Sequence, residues 1–504
     1  MLPLQNNDKM QLIAVAILFA LILLPPYLIH GGYLLWLMDG GNYAYYGQQW
    51  LRGGLAYVDF WEPRPPFIFL MNAIGLFLGN GHPFGIAAWI TICAALFAGL
   101  FLWCTRPFCW TARLAACGSV CLWLAKLEAL NSIGFYCLVP NLIVLWGYVR
   151  DCEDNAWGRN AFWVGMAGGV LAMARPNQAL SAGCYALLIL WLSRDRLGDF
   201  LRFAAGISIT AGAGLALVWL RGSIPGLVQA MSFGSEYYVG ATSVTSKLLF
   251  PVFALENLGE SGLLLLGIGV VGFCLFHAIK SYKQVPPIVL AATGVFLMEI
   301  AQASVSGRFF SHYLTPALPS CGLLTAWALD AFAKKFDTAS LMKWVAATTF
   351  AVALAQSAHT TWHTSKIPVP ELALADKIKA KLAPTDKAFV WVWNKNALPF
   401  HLGRSSGVTY PPVLVSISQK AYLYLMPQIV SQLKVARPEV IVDCGPPGLH
   451  FLFEHSMREL TSPDGEAPLK TSAIRDQLED LATGYRVDFS DSATQCVVYR
   501  RENQ

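Results

Sequence analysis

Residues 36–70 read WLMDGGNYAYYGQQWLRGGLAYVDFWEPRPPFIFL and follow directly on the first long apolar run of the chain, 11–30. They bring Asp39, Asp59, Glu62 and Arg64 into one short non-spanning segment. Charge at a membrane face is costly without a task, so this segment is expected to handle a charged ligand. Asp39 stands where the first run ends, before Gly40, Gly41 and Asn42 and a short helix that places Tyr43, Tyr46 and Trp50 on one face. Gly53 and Gly54 end that helix, and 55–61 is expected to run extended, with Asp59 opposite Phe60. The prolines at 63, 65 and 66 stiffen the chain around Arg64 and start the next helix.

Outward from this segment, composition sets the class. The chain has 504 residues, 55% hydrophobic and 13% charged, with 17 Trp, 18 Tyr and 29 Phe. That is too apolar for a soluble protein of this length, and apolar runs of about 20 residues read as spanning helices. They fall near 11–30, 84–104, 112–127, 135–150, 161–176, 180–193, 200–220, 261–280, 286–304, 313–333 and 341–360, or about eleven helices. The run 11–30 lacks a small-residue cleavage site and reads as the first span. The run 66–78 is too short to span and suits a helix lying at the interface.

The net charge of +5 would suit a polyanion partner, but the basic residues lie between apolar runs and set topology, so no nucleic acid is inferred. Lys9, Arg106, Arg113, Arg150, Arg159, Arg194, Arg196, Arg202, Lys280, Lys283, Lys334, Lys335 and Lys343 share one side. The opposite loops hold Arg52, Arg64, Lys126, Arg175, Arg221, Lys247 and Arg308. By the positive-inside rule the richer side is cytoplasmic. The N-terminus is then inside, and the Asp39 loop outside. The expected fold class is an α-helical polytopic membrane protein with a small C-terminal extracytoplasmic α/β domain. Residues 1–364 form its transmembrane part, with the first outer loop at 31–83, and residues 365–504 form the outer domain. A second outer loop is expected at 222–261.

In the C-terminal part, ELALADKIKAKLAP reads as an amphipathic helix, KAFVWVWN and PEVIVDC as buried strands, and YRVDF with QCVVYRR as a hairpin. Ten of the 12 cysteines lie in or beside apolar runs with no metal-ligand spacing and read as small buried hydrophobes. Cys444 and Cys496 lie in the polar part, either as one disulfide or as two unpaired thiols.

Each charged residue of the first loop has two readings. Asp39 is a general base for an acceptor hydroxyl, or Asp39 or Asn42 simply caps the short helix. Arg64 binds phosphate oxygens, or it pairs with Asp59 or Glu62 or reaches lipid headgroups.

The run Gly53, Gly54, Tyr57, Asp59, Phe60, Glu62, Arg64, Pro65, Pro66, after an acidic residue at the end of the first helix, resembles the first-loop signature of the GT-C superfamily. The branch is that of dolichyl-phosphate-mannose protein mannosyltransferases and aminoarabinose transferases. The resemblance implies a GT-C-like fold and an inverting transfer of one sugar from a polyprenyl-phosphate donor to a lipid, glycan or protein acceptor at the outer face of an inner membrane. It implies Asp39 as base, with Asp59 a second catalytic candidate. Glu62 becomes a ligand of substrate or of a divalent metal ion, and Arg64 the phosphate contact. Arg175, Arg308, His312 and Tyr313 resemble family positions facing the lipid phosphate, with interfacial anchoring the plain alternative. Glu236, beside Tyr237 and Tyr238, is placed on the acceptor side, and Glu299 is read as a partner of Arg308. Two positions depart from the pattern: Arg64 stands where relatives carry Lys, with Pro63 between it and Glu62, and Gly40 follows Asp39 where many carry a second acid.

A transporter or lipid-glycan flippase is the rival class, also helical and able to use intramembrane charge. The chain lacks the two-fold hydropathy repeat such proteins show and concentrates charge in one loop. A polymerase using a diphosphate-linked donor would carry its main catalytic loops later. Cysteine-accessibility labelling is expected to find position 39 and residues 370–504 outside and residues 194–202 inside; cytoplasmic-only labelling of the C-terminal part would overturn this topology.

Overall fold

The computed structural model describes residues 6–29, 39–127, 130–240, 242–259, 262, 264–281, 285–392, 397–410, 419–444 and 472–502. Residues 30–38 of the first loop, and 445–471, lie outside the described residues. Each of the eleven apolar runs coincides with a helix: Asn6–Leu23, Phe84–Cys104, Trp110–Lys126, Leu138–Glu153, Ala161–Ala174, Leu180–Leu192, Arg196–Arg221, Leu264–Ser281, Pro287–Ser304, Leu318–Phe336 and Ala339–Ser365. By length and composition, three of the described helices could cross a membrane alone, Phe84–Cys104, Arg196–Arg221 and Pro287–Ser304.

Chain contacts divide the molecule into two compact units. One comprises Met1–Leu35, Leu78–Ala216 and Thr242–Lys366, and the other Trp36–Phe77, Leu217–Ala241 and Ile367–Gln504. The first unit is a helical bundle in which Ala339–Ser365 packs on Trp110–Lys126, Asn6–Leu23 on Phe84–Cys104, and Leu138–Glu153 on both Ala161–Ala174 and Pro287–Ser304. Small residues let these helices approach closely: a Cβ on Gly118 would meet Thr349 and Phe350 side chains at 3.2 Å. Trp191 and Trp344 are 72% and 73% exposed, a surface suited to lipid. Pro176 ends the helix Ala161–Ala174 by holding Arg175 in extended backbone (φ −153°, ψ 117°).

In the second unit, the segment 36–77 bonds to C-terminal residues. The Arg52 guanidinium donates to Gly403 O, Gln49 Nε2 to Arg404 O at 3.4 Å, and Thr409 Oγ1 to Val58 O at 2.6 Å. The C-terminal segment folds around a mixed sheet of order β1-β2-β4-β3, with β1 Ala388–Val392, β2 Val440–Cys444, β3 Tyr485–Asp491 and β4 Cys496–Arg501. Strands β1 and β2 are parallel, Val390 opposite Val442, and β3 and β4 form the expected antiparallel pair. Helix Pro370–Lys379 buries Leu374, Ala375 and Ile378 against Val390, Val442 and Val498. Ala421, Leu425, Ile429 and Leu433, four apart along Gln419–Ala436, are fully buried. Cys444 and Cys496 are disulfide-bonded, which closes that alternative. The other ten cysteines are free, five of them buried and five half-buried.

Within 222–261 the described residues form helices Ile224–Phe233 and Val244–Gly259 and a π-helix, Gly234–Val239. One expectation is corrected. Residues 55–61 are not extended: Ala56 bridges Phe60 around a tight turn, with Tyr57 at φ 63°.

In the sheet domain, burial, with the nearby Lys379 charge, pushes His401 down to about 4. The unfolded chain takes up a proton below about pH 6.5 that folded His401 refuses, so this contribution to stability is complete above that pH and is lost between roughly 6.5 and 4. Thermal unfolding of the full chain is therefore expected to show an acid-side slope that His401→Gln flattens. An unchanged slope in the variant would remove His401 as its source.

Candidate active site

The first loop folds around aromatic rings. In helix Gly40–Leu51, Tyr43, Tyr45, Tyr46 and Trp50 are all buried. Phe69, on the following helix Phe67–Leu78, meets Phe60, Tyr46, Tyr57 and Trp50 at 5.4–6.1 Å between ring centroids. Gly47 lets the two helices touch, since a Cβ there would lie 2.8 Å from Asn72 Cβ and 2.9 Å from Ala73 N. Gly53, at φ 97°, supplies the left-handed residue that ends the first of them.

Among the described residues, three groups hold Arg64. Its Nη1 donates to Glu62 Oε1 at 2.7 Å and to the Tyr43 hydroxyl, and its Nη2 lies 3.3 Å from Asp39 Oδ2. Tyr43 in turn donates to Asp39 Oδ2 at 3.0 Å. The backbone explains the closeness of Glu62 and Arg64: Arg64 N–H donates to Glu62 O at 2.7 Å across a three-residue turn centred on Pro63. The extra proline that departs from the family pattern is therefore what sets the two side chains together. Tyr57, in its unusual backbone region, donates its hydroxyl to Arg64 O at 2.7 Å. Such conformations cluster at functional sites.

The two carboxylates on Arg64 differ. The Glu62 side chain is 6% exposed and makes the shorter contact, while that of Asp39 is 44% exposed and makes the longer one. Glu62 is built to hold the guanidinium; Asp39 faces solvent and can exchange its partner. Asp39 does not cap the helix: its backbone is itself helical (φ −77°, ψ −14°) and its side chain makes no capping bond. Burial, then the charges of Glu62 and Asp39, raises the Tyr46 phenol well above its usual range, so it stays neutral.

Asp59 is placed elsewhere. It is exposed, and its carboxylate accepts the Leu55 N–H at 2.7 Å, closing the turn. A divalent ion does not fit the cluster as arranged, because the Arg64 guanidinium already supplies the positive charge shared by Asp39 and Glu62. Among the described residues no group of three His, Cys, Asp or Glu could hold a metal ion.

In the helical unit, the Arg175 guanidinium lies over the Tyr313 ring at 4.4 Å, and His312 meets Tyr313 edge-on at 4.7 Å. Arg308 is half-buried. Among the described residues Glu299 is not paired with Arg308: it is buried, with Ser181 and Gln302 as its polar neighbours. Glu236 is exposed on the π-helix, and the side chain of Tyr238 lies outside the described residues. The sequence reading missed Tyr43 as the link between Asp39 and Arg64, although its place four residues after Asp39 on a helix allows that contact.

No protein-family model matches the chain, and no curated protein does. Among solved structures, the fold matches ArnT from Cupriavidus metallidurans in the apo state at TM-score 0.59 and 15% identity, covering 99% of each chain. It also matches the same protein bound to undecaprenyl phosphate, at TM-score 0.57 and 15% identity, covering 99% of this chain and 100% of that one. The chain has the ArnT fold, as the first-loop resemblance implies.

Gly47→Ala forces the added methyl against backbone and is expected to separate the two first-loop helices, lowering stability by about 1–3 kcal/mol. Wild-type thermal stability in Gly47→Ala would contradict this packing.

Proposed function

We propose that the chain is an inverting, polyprenyl-phosphate-dependent glycosyltransferase of the inner membrane, with Arg64 as the phosphate contact and Asp39 as the general base. The observation that carries this reading is the Asp39–Arg64–Glu62 cluster in the first loop of a chain with the ArnT fold. The ArnT structure bound to undecaprenyl phosphate supports a donor of the same kind.

In this mechanism the lipid phosphate displaces Asp39 from Arg64, while buried Glu62 keeps the guanidinium in place. Freed Asp39 takes the proton from an acceptor hydroxyl or amine as that oxygen or nitrogen bonds to the anomeric carbon. The bond from that carbon to the phosphate oxygen breaks on the opposite face, inverting the centre. The electron pair leaves on the polyprenyl phosphate, where Arg64 stabilises it. A phosphate leaving group needs no separate acid, and no step requires a metal ion.

Arg175, Arg308, His312 and Tyr313 are assigned to the lipid-phosphate side and Glu236 to the acceptor side; Asp59 is given a structural role in the turn. The topology proposed is about eleven spans, a cytoplasmic N-terminus and an extracytoplasmic C-terminal domain, a placement that the Cys444–Cys496 disulfide supports. The sugar is a single hexose or pentose unit.

Binding of undecaprenyl phosphate to the purified protein tests the phosphate role. Arg64→Ala is expected to weaken it by roughly 10- to 100-fold, matching ~1.5–3 kcal/mol for a charge-assisted hydrogen bond. Arg64→Lys should retain part of the affinity, since charge survives but the fork does not. Equal affinity of wild type and Arg64→Ala would remove the role.

A further inference from the structure

We propose that Tyr237 and Tyr424, edged by Gln229 and Glu236, form a shelf that binds a pyranose ring of the acceptor; this rests on the glycosyltransferase reading above. The two phenol rings stack at 5.3 Å and 24°. Beneath them Phe233 meets Tyr237 at 4.9 Å and Tyr424 at 5.8 Å, and Trp61 meets Phe233 at 5.1 Å and Tyr410 at 5.3 Å. Trp61, Phe233 and Tyr410 are buried, whereas Tyr237 and Tyr424 are half-exposed. The shelf is thus a rigid aromatic stack that ends at the surface.

Its position ties it to the chemistry. Trp61 directly precedes Glu62. A Cβ on Gly234 would lie 2.9 Å from Pro63 O, so the segment carrying Tyr237 is seated on the turn that joins Glu62 to Arg64. Tyr237 and Glu236 lie on the π-helix Gly234–Val239, a conformation frequent at functional sites.

The polar edge suits a sugar better than an acyl chain. Gln229 Nε2 donates to the Tyr424 hydroxyl at 2.7 Å and to the Tyr410 hydroxyl at 3.4 Å. The Tyr424 oxygen acts as an acceptor there, which leaves its O–H proton to donate outward. Exposed Glu236 supplies an accepting carboxylate. A pyranose presents a C–H face, weakly positive, to the negative face of an aromatic ring, and a rim of hydroxyls to such donors and acceptors. An alkyl chain would gain nothing from the amide, phenol and carboxylate groups.

The test uses the full chain in lipid nanodiscs with maltose and chitobiose as probes. Saturation-transfer NMR is expected to show contact between protein aromatic protons and the sugar ring protons. Tyr237→Ala and Tyr424→Ala should each weaken probe binding on the order of 10-fold. Tyr424→Phe keeps the stack but loses the donor, and should weaken binding less. Undecaprenyl phosphate affinity, measured on the same samples, should not change. Absence of transfer from either probe to wild-type protein, or equal binding by wild type and a Tyr237→Ala/Tyr424→Ala double variant, would overturn the shelf. So would variants that weaken only undecaprenyl phosphate binding. Phosphate binding that ignores Arg64→Ala counts against the glycosyltransferase reading and not against the shelf.

Discussion

The Arg64 guanidinium is always charged, and with its side chain only 14% exposed its burial is costly without compensating anions. Much of the first loop follows from that constraint. Glu62 is buried beside it, the turn at Pro63 brings the two side chains together, and Tyr57 accepts a left-handed backbone to hold the Arg64 carbonyl. Tyr43 joins Asp39 to the same group. Removing one partner of the buried Arg64–Glu62 pair would leave an uncompensated charge, costing about 3–5 kcal/mol. An incoming anion can replace the most exposed partner at least cost, and that partner is Asp39.

The sequence showed the helical bundle clearly because its signal is length and apolarity, which need no knowledge of neighbours. Helix Phe84–Cys104 lies where hydropathy alone put it. The C-terminal strands were also legible, since β-branched and aromatic runs bounded by polar residues have few other uses. Local chemistry was harder to read. LAYVDFW alternates as a strand does, yet the Asp59 carboxylate captures the Leu55 N–H and folds the run into a turn. Asp39 has the composition of a helix cap, but Arg64 and Tyr43 compete for its carboxylate from positions that hydropathy does not register.

Within 222–261, Gly234 serves close packing on Pro63 and Pro251 lies inside a helix. The compact unit that results is assembled from three separate parts of the chain, 36–77, 217–241 and the C-terminal segment. No single stretch of sequence carries that grouping. Once assembled, it sets the Arg64 cluster and the aromatic stack of Trp61, Phe233 and Tyr424 next to one another through three consecutive residues, Trp61, Glu62 and Pro63.

The account depends most on Asp39 acting through its carboxylate. Asp39→Asn preserves size and hydrogen-bonding shape but cannot accept the proton. With a polyprenyl-phosphate sugar as donor, the variant is predicted to transfer at a rate lower by roughly 10²-fold or more. Its undecaprenyl phosphate affinity should be no weaker than wild type, because a carboxylate competing for Arg64 has been removed. A folded Asp39→Asn protein that transfers sugar at the wild-type rate would contradict the account.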